Sequence, residues 1–178
     1  MPADPPIFVI TGQLSAGKST IARALMDRFE HGVHVDVDGV RELVVSGLAS
    51  PLEWTDETTR QFRLAIRASV ALAQVYADAG FAVAIEGAID PELMEEALAA
   101  AGLTERSVLV VLHPRLEVAL DRNRSRTSKA FDTAILEDSM RTIEVDLTRD
   151  AARPRWHRVD NSDESVAQTV DAILSIGR

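Results

Sequence analysis

The sequence predicts an α/β fold in which a five-stranded parallel sheet lies between two layers of helices. Short apolar segments alternate with amphipathic ones along the chain, which is typical of strands connected by helices. Three of the apolar segments are almost continuously hydrophobic, as strands covered on both faces are. The 178 residues, 46% of them hydrophobic, suffice for one such core. We therefore expect a single three-layer domain spanning residues 1–178.

Strands and helices are predicted in alternation along the chain. Five apolar segments predict strands over 7–11, 33–37, 81–87, 107–113 and 156–160. Helices are predicted over 19–29, 39–47, 55–80, 90–102, 113–122, 131–155 and 161–174. Asp90 is placed to cap a helix that begins at Pro91. Gly102 ends this helix, and Pro114 takes the first position of the next one.

Charge and composition exclude several classes of protein. The chain has 28 acidic and 19 basic residues, whereas proteins that bind nucleic acid over a whole face usually have a basic surplus. It has no cysteine, so disulfides and cysteine-ligated metals are excluded. No apolar run approaches the roughly 18 residues that span a bilayer, and the amino terminus lacks the features of a signal peptide. We expect a cytoplasmic monomer or homodimer without nucleic-acid or membrane partners.

The most informative segment is "GQLSAGKST", residues 12–20. It matches G-x-x-x-x-G-K-[ST], a phosphate-binding loop, and lies between a predicted strand and helix as that loop requires. Glycines let backbone N–H groups turn towards a phosphate at the positive end of the helix. Lys18 would reach the β- and γ-phosphates of a nucleoside triphosphate, and Ser19 would ligate Mg²⁺. The alternative is a chance glycine loop with an exposed lysine. The residues expected to bind the nucleotide are Gly12, Ser15, Ala16, Gly17, Lys18, Ser19 and Thr20.

Two acids end the second predicted strand, in the segment "VDVDGVR" (35–41). The carboxyl ends of strands are where open α/β sheets bind ligands. Asp38 can accept the proton of an attacking hydroxyl, while Asp36 can orient water on Mg²⁺. Asp38 can also cap the helix that follows, a role compatible with catalysis. Arg41, one turn into that helix, either clamps an anionic acceptor or is a solvated charge.

Two groups of arginines are candidates for binding anions. The segment "DRNRSRTSK" (121–129) has the composition expected of a mobile segment that closes over a transferred phosphate, or it is a solvated helix end. Arg60, Arg63 and Arg67 share one face of a predicted helix. Arg63 is a candidate for binding an acceptor carboxylate or phosphate, and the alternative is a solvent-facing stripe partly paired with neighbouring acids.

These features together resemble the small P-loop kinases related to nucleoside monophosphate kinases. The resemblance rests on the phosphate loop, the Asp-x-x-Arg after the second strand, the helix "PRLEVALDRNRSR" and the closing segment "VDNSDESVAQTVDAIL". It covers nearly the whole chain. Shikimate, gluconate and adenylylsulfate kinases and chloramphenicol phosphotransferase are the members it most resembles. It implies a P-loop NTPase fold with a short arginine-rich lid over about 122–135, to which Arg122 and Arg126 would belong.

The resemblance also implies roles for individual residues. Asp38 would contact the acceptor hydroxyl and act as base, and Glu86 would lie near magnesium and the acceptor. Asn161 and Ser162 would lie in the loop beside the adenine ring. Together with Arg41 and Arg63, which the sequence pattern suggests, the candidate substrate-binding residues are Asp38, Arg41, Arg63 and Glu86.

The expected function is that of an ATP- and Mg²⁺-dependent kinase that phosphorylates a hydroxyl of a small molecule. A GTPase would show an Asn-Lys-x-Asp segment, which the sequence lacks. A motor or AAA-type machine usually has a longer chain and two acids at the end of a long apolar strand. Two alternatives stay open: a regulatory module that hydrolyses ATP slowly, and a kinase that acts on a nucleic-acid end or on a protein.

Overall fold

One parallel sheet forms the centre of the structure. The computed structural model describes residues 5–51, 54–125, 137–150 and 152–177. Within these ranges the strands are β1 Ile7–Gly12, β2 Gly32–Asp36, β3 Ala82–Glu86, β4 Ser107–Leu112 and β5 Trp156–Val159. Their order is β2-β3-β1-β4-β5, and every neighbouring pair is parallel. The predicted five-stranded parallel sheet is confirmed, because each strand lies where an apolar segment predicted it.

Helices connect the strands and cover both faces of the sheet. They are α1 Lys18–Met26, α2 Val37–Arg41, α3 Asp56–Asp78, α4 Pro91–Ala100, α5 Leu116–Arg124, α6 Glu137–Asp150 and α7 Val166–Ile176. A 3₁₀ turn, Thr104–Arg106, precedes β4. In the described ranges no helix is both long enough and apolar enough to cross a membrane.

The central strand β1 buries side chains on both faces of the sheet. Ile7 and Val9 pack in the cluster that includes α3 and α4, whereas Phe8 and Ile10 pack in the cluster that includes α1 and α7. None of the four is more than 1% exposed. Burial on both faces explains why the sequence of this strand is a continuous apolar run and not an alternating one.

Several helices begin at other residues than the sequence predicts, and two of them, α2 and α5, adjoin the candidate site. Helix α2 begins at Val37 because Asp36 caps it, its side chain accepting a hydrogen bond from the backbone N–H of Asp38 at 3.0 Å. The alternative of Asp38 as the cap is therefore wrong, and Asp38 lies in the first turn instead. Helix α5 begins at Leu116 and not at Pro114.

Leu98 tests the packing of the sheet against α4. Its side chain is fully buried in the cluster shared with α3, so Leu98→Ala removes apolar contacts and leaves a cavity. We expect the free energy of unfolding, measured by urea denaturation, to fall by about 2–5 kcal/mol. The matched control Leu72→Ala, on the exposed face of α3, should change it by less than about 0.5 kcal/mol. Equal losses in the two variants would contradict this packing.

Candidate active site

A polar cavity of about 510 Å³ lies at the carboxyl end of the sheet. The loop between β1 and α1 forms one wall, the start of α2 forms the opposite wall, and residues from the end of β3 and from α5 complete it. These segments converge because β2, β3 and β1 are neighbours in the sheet. The predicted site residues that line the cavity are Ser15, Gly17, Lys18, Ser19, Thr20, Asp36, Asp38, Glu86 and Arg122.

The backbone of the loop turns through left-handed conformations. The φ angle is 138° at Gly12, 61° at Ser15 and 90° at Gly17. A Cβ atom at Gly12 would lie 2.1 Å from the carbonyl oxygen of Leu112, so a larger residue would have to displace β4.

The start of α1 presents unpaired backbone donors to the cavity. Within the described part of the chain, the N–H groups of Gly17, Ser19 and Thr20 have no hydrogen-bond partner. Such N–H groups at a helix amino terminus, together with the helix dipole, favour an anion. The loop therefore fits the phosphates of a nucleotide.

Lys18 bends back over this loop. Its Nζ donates hydrogen bonds to the carbonyl oxygens of Gly12 and Gln13, both at 3.1 Å. Its positive charge also acts on the carboxylates of Asp38 and Glu86. The ammonium group thus lies between the loop and the acidic wall of the cavity.

Helix α6 is attached to the loop through Gln13. The Gln13 side chain is buried, and its Nε2 donates to the carbonyl oxygen of Met140 at 3.1 Å and to Glu144 Oε2 at 3.0 Å. The other carboxylate oxygen of Glu144 lies 2.8 Å from Nε2 of His113, the residue after β4. One carboxylate of α6 therefore contacts both the phosphate loop and the end of β4.

Two further side chains hold the loop from the other side. The hydroxyl of Ser15 donates to Oδ1 of Asn123 in α5 at 3.2 Å. Asn161, after β5, donates from Nδ2 to the carbonyl oxygen of Ala16 at 2.9 Å. Arg122 donates from Nη2 to the carbonyl oxygen of Asn161 at 2.9 Å. The loop, α5 and the segment after β5 are therefore connected by hydrogen bonds.

A smaller cavity of about 190 Å³ lies beside this connection. Ala16, Asn161 and Arg122 line it, with Val166 and Thr169 of α7. It shares the lining residues Gly17, Thr20 and Arg122 with the larger cavity. A ligand on the phosphate loop can therefore extend into it.

Ser162, the other residue expected beside the adenine ring, makes contacts of a different kind. Its hydroxyl accepts a hydrogen bond from the backbone N–H of Arg115 at 2.8 Å and donates one to Asp160. It is not among the residues that line the smaller cavity. These contacts hold the segment after β5 against the start of α5.

Asp38 is an acid in an environment that disfavours its charge. Burial, followed by the negative charges of Asp36 and Glu86, raises the pKa of its carboxyl group above the ordinary value, and Lys18 and Arg41 only partly oppose this. A carboxylate with a raised pKa is a stronger base, which suits the acceptance of a proton.

Glu86 lines the cavity at the end of β3 and is held in the charged form. Its side chain is buried, which disfavours the charge. Hydrogen bonds from His34 and Ser19 and the charge of Lys18 outweigh this and lower the pKa of Glu86. The distance from His34 Nε2 to Glu86 Oε1 is 3.2 Å. Glu86 therefore orients the Ser19 hydroxyl through a hydrogen bond.

The oxygen atoms at this point fit Mg²⁺. Ser19 and Asp36 offer a hydroxyl and a carboxylate on facing walls, and proteins typically hold Mg²⁺ through one or two carboxylates together with substrate phosphates. Among the residues that the structure describes, no three His, Asp or Glu side chains form a ligand cluster by themselves. A magnesium ion here would thus share its ligands with a nucleotide.

Three predicted arginines lie away from the cavity or outside the described residues. Arg41 is buried, donates to the carbonyl oxygen of Ala49 at 2.9 Å and has its guanidinium carbon 4.8 Å from the ring centre of Phe62. It is therefore not a solvated charge. Arg63 is exposed on α3, and neither arginine lines the cavity. Arg126 and the lid residues that follow it, up to 135, lie outside the described residues.

The structure adds three residues that sequence reasoning missed. Gln13 and Asn123 hold the phosphate loop, and Glu42 lines the cavity beside Asp38. Gln13 occupies a variable position of the motif, so the motif gives it no signal. Glu42 follows Asp38 by four residues, the spacing that places two side chains on one helix face, and this spacing is the signal that could have found it.

The fold and the site together define the class of protein. A five-stranded parallel sheet with flanking helices and a phosphate loop after its central strand is the α/β fold of the P-loop kinases. The chain belongs to the AAA_33 family, described as an AAA domain, whose model matches residues 7–145. The matched segment runs from β1 into α6. In this chain β3 ends in one acid, Glu86, and not in the two acids expected of AAA-type machines.

Several solved structures share this fold at low sequence identity. The tunicamycin resistance protein of Deinococcus radiodurans has a TM-score of 0.67 at 16% identity, with 96% of this chain and 94% of that chain covered. A gluconokinase from Sinorhizobium meliloti has a TM-score of 0.65 at 17% identity, with 97% and 91% covered. Shikimate kinase from Acinetobacter baumannii, in complex with shikimate, has a TM-score of 0.59 at 21% identity, with 96% and 92% covered. No curated protein matches the sequence.

The raised pKa of Asp38 predicts an effect on stability. Because the folded state binds the Asp38 proton more tightly than the unfolded state does, stability is lost as the pH rises through the ordinary value of 3.8 and then the raised one. Asp38→Asn removes this loss. We expect a higher Tm for the variant at pH 7 in EDTA, by about 2 °C, and a smaller gain as the pH falls towards 4.

The matched control for this measurement is Asp27→Asn, at the exposed end of α1. It should leave Tm nearly unchanged at both pH values. An Asp38→Asn variant that is less stable than the wild type throughout would show that the carboxylate is not disfavoured in the folded protein.

Proposed function

We propose that the protein is an ATP- and Mg²⁺-dependent phosphotransferase that phosphorylates a hydroxyl of a small molecule. One observation carries the proposal: a single cavity has the phosphate loop on one side and Asp38, a carboxylate with a raised pKa, on the other. Phosphoryl transfer needs a nucleotide and a hydroxyl acceptor held in line, with the charge neutralised between them.

The loop residues Gly12 to Thr20 hold the phosphates in this proposal. The unpaired N–H groups at the start of α1 bind phosphate oxygens, and Lys18 moves from the loop carbonyls to the phosphate charge. Ser19 and Asp36 hold Mg²⁺ directly or through water. When bound, Mg²⁺ supplies charge neutralisation between phosphate oxygens.

The nucleoside lies in the smaller cavity in this proposal. Asn161 keeps the loop and the cavity wall together through Ala16, and the apolar side chain of Val166 offers a surface for the base. Ser162 supports the wall from outside through Arg115. In this proposal the adenosine of ATP contacts the backbone and α7. The chain has no Asn-Lys-x-Asp segment, which would recognise guanine.

Asp38 is the proposed general base. It accepts the proton of the acceptor hydroxyl as that oxygen bonds to the γ-phosphorus and the bond from the γ-phosphorus to the β,γ-bridging oxygen breaks, so that ADP leaves. Glu86 stays ionised and orients Ser19, while Arg122, which lines both cavities, neutralises charge on the transferred group. Arg126 is proposed to do the same from the lid.

The proposed setting is the cytoplasm, and the proposed partners are the nucleotide and a small molecule. The net charge of −9 is unfavourable for a nucleic-acid acceptor, since phosphate backbones bind basic surfaces.

Lys18→Ala tests the phosphate-binding part of the proposal. Removing the ammonium group deprives the transferred phosphate of its nearest cation, so we expect turnover to fall by about 10³-fold. The measurement is ADP release from Mg·ATP with pooled sugars, sugar acids, nucleosides and antibiotics as acceptors. Arg23→Ala is the control for the loss of one positive charge, because Arg23 is an exposed residue of α1. Full turnover by a folded Lys18→Ala protein would refute the mechanism.

Asp38→Asn tests the base and the class of function together. Loss of the proton acceptor should lower acceptor-dependent transfer by about 10²- to 10⁴-fold, while nucleotide affinity, measured by calorimetry, changes little. One acceptor pool that raises ADP release in the wild type and not in Asp38→Asn would support a small-molecule kinase. A slow rate that is indifferent to every pool and to Asp38 would favour the regulatory ATPase instead.

A further inference from the structure

We propose that the acceptor is a polyhydroxyl molecule without negative charge, an uncharged or amino-substituted sugar or nucleoside, and that Glu42 selects it against acids. This inference rests on the proposed function and concerns the acceptor end of the same cavity. The acceptor end is formed by Asp36, Asp38, Gly39 and Glu42.

The sheet order determines which end of the cavity takes which substrate. The phosphate loop follows the central strand β1, and the smaller cavity beside it lies towards β4, β5 and α7. A nucleotide that occupies the loop and the smaller cavity leaves the β2 and α2 side of the larger cavity for the acceptor. On that side the hydroxyl meets Asp38.

The charges of the cavity are divided unequally between these ends. The cavity is lined by four carboxylates and two cations. The carboxylates are those of Asp36, Asp38, Glu42 and Glu86, and the cations are Lys18 and Arg122. Both cations lie at the phosphate end, since Lys18 contacts the loop and Arg122 also lines the smaller cavity. A bound Mg²⁺ would likewise be held between Ser19, Asp36 and the phosphates. The acceptor end therefore keeps a negative charge.

The nearest arginines do not reverse this charge at the cavity wall. Arg41 is covered by Phe62 and donates to the backbone at Ala49. Arg60 is held by Glu57 through two hydrogen bonds of 2.7 and 2.9 Å. Among the described residues, no arginine or lysine other than Lys18 and Arg122 lines the cavity. An acceptor carboxylate or phosphate would thus meet acids at this wall, and no cation of the described residues lines the wall to pair with it.

Glu42 is the acid of the cavity lining to which the proposed mechanism gives no role. It is exposed at the end of α2, and within the described part of the chain its carboxylate has no hydrogen-bond or ion-pair partner. Its two oxygen atoms can accept hydrogen bonds from hydroxyl groups and can pair with an ammonium group of the acceptor. With an acid, the same oxygen atoms would face a like charge at close range.

The experiment compares three acceptor groups built on the same carbon skeletons: neutral sugars and nucleosides, their amino-substituted counterparts, and their carboxylate counterparts. The readout is kcat/KM from acceptor-stimulated ADP release at low and high salt, with product mass confirming phosphorylation. We expect neutral or amino acceptors to exceed carboxylates by on the order of 10- to 100-fold at low salt. The difference should shrink at high salt because salt screens the cavity charge.

Glu42→Gln separates the cavity charge from the shape of the site. The exposed side chain tolerates this change, and we expect the preference over carboxylates to fall by about tenfold. Glu30→Gln is the matched control, because Glu30 is exposed and precedes β2, so that it lies at the amino end of this strand and not at the carboxyl end where the cavity is. It should leave the preference as in the wild type.

The outcomes distinguish this inference from the proposed function. If a carboxylate acceptor is the best substrate, the protein is a kinase and the inference alone is wrong. If an uncharged acceptor is best but Glu42→Gln leaves the preference unchanged, the role of Glu42 is wrong. If no acceptor in any group raises ADP release, the proposed kinase function fails and the acceptor class fails with it.

Discussion

The structure depends on a loop that must leave backbone donors unpaired while it connects a buried strand to a helix. The left-handed conformation of Ser15, a residue other than glycine, adds a conformational cost to this loop. The loop keeps this shape because other segments hold it. Gln13 is bound by α6, Ser15 by α5, and Ala16 by Asn161 after β5. Segments that come after most of the chain therefore determine the conformation of the first loop.

A second constraint is electrostatic and comes from the sheet order. Because β3 lies between β2 and β1, the acids at the ends of β2 and β3 face the loop that carries Lys18. The Asp36 carboxylate accepts a hydrogen bond as the cap of α2. The Glu86 carboxylate accepts hydrogen bonds from His34 and Ser19. Burial and the charges of Asp36 and Glu86 raise the pKa of Asp38, whereas hydrogen bonds from His34 and Ser19 lower that of Glu86 in spite of its burial. Neighbouring carboxylates thus differ in pKa because their surroundings differ.

The sequence predicts the parts of this site that depend on local pattern. The strands could be predicted because burial on both faces leaves continuous apolar runs, and the phosphate loop because its glycines and lysine have fixed spacing. The cap of α2 could not be assigned, since Asp36 and Asp38 are chemically identical candidates two residues apart. The role of Gln13 depends on Met140 and Glu144, which are far away in sequence. The role of Arg41 depends on how the next segment folds, since Arg41 contacts Ala49 and Phe62. No local pattern encodes these contacts.

The same distinction applies to substrate choice. Arginines at helical spacing on α3 suggest anion binding from sequence alone, yet spacing determines only the face of the helix and not what that face meets. In the fold, Arg60 pairs with its own helix and Arg63 is exposed away from the cavity, whereas Glu42, four residues after Asp38, lies on the cavity wall. The net charge that a substrate meets is therefore a property of the cavity lining. Here that lining is acidic on the side away from the phosphates, which is the physical basis for expecting an acceptor without negative charge.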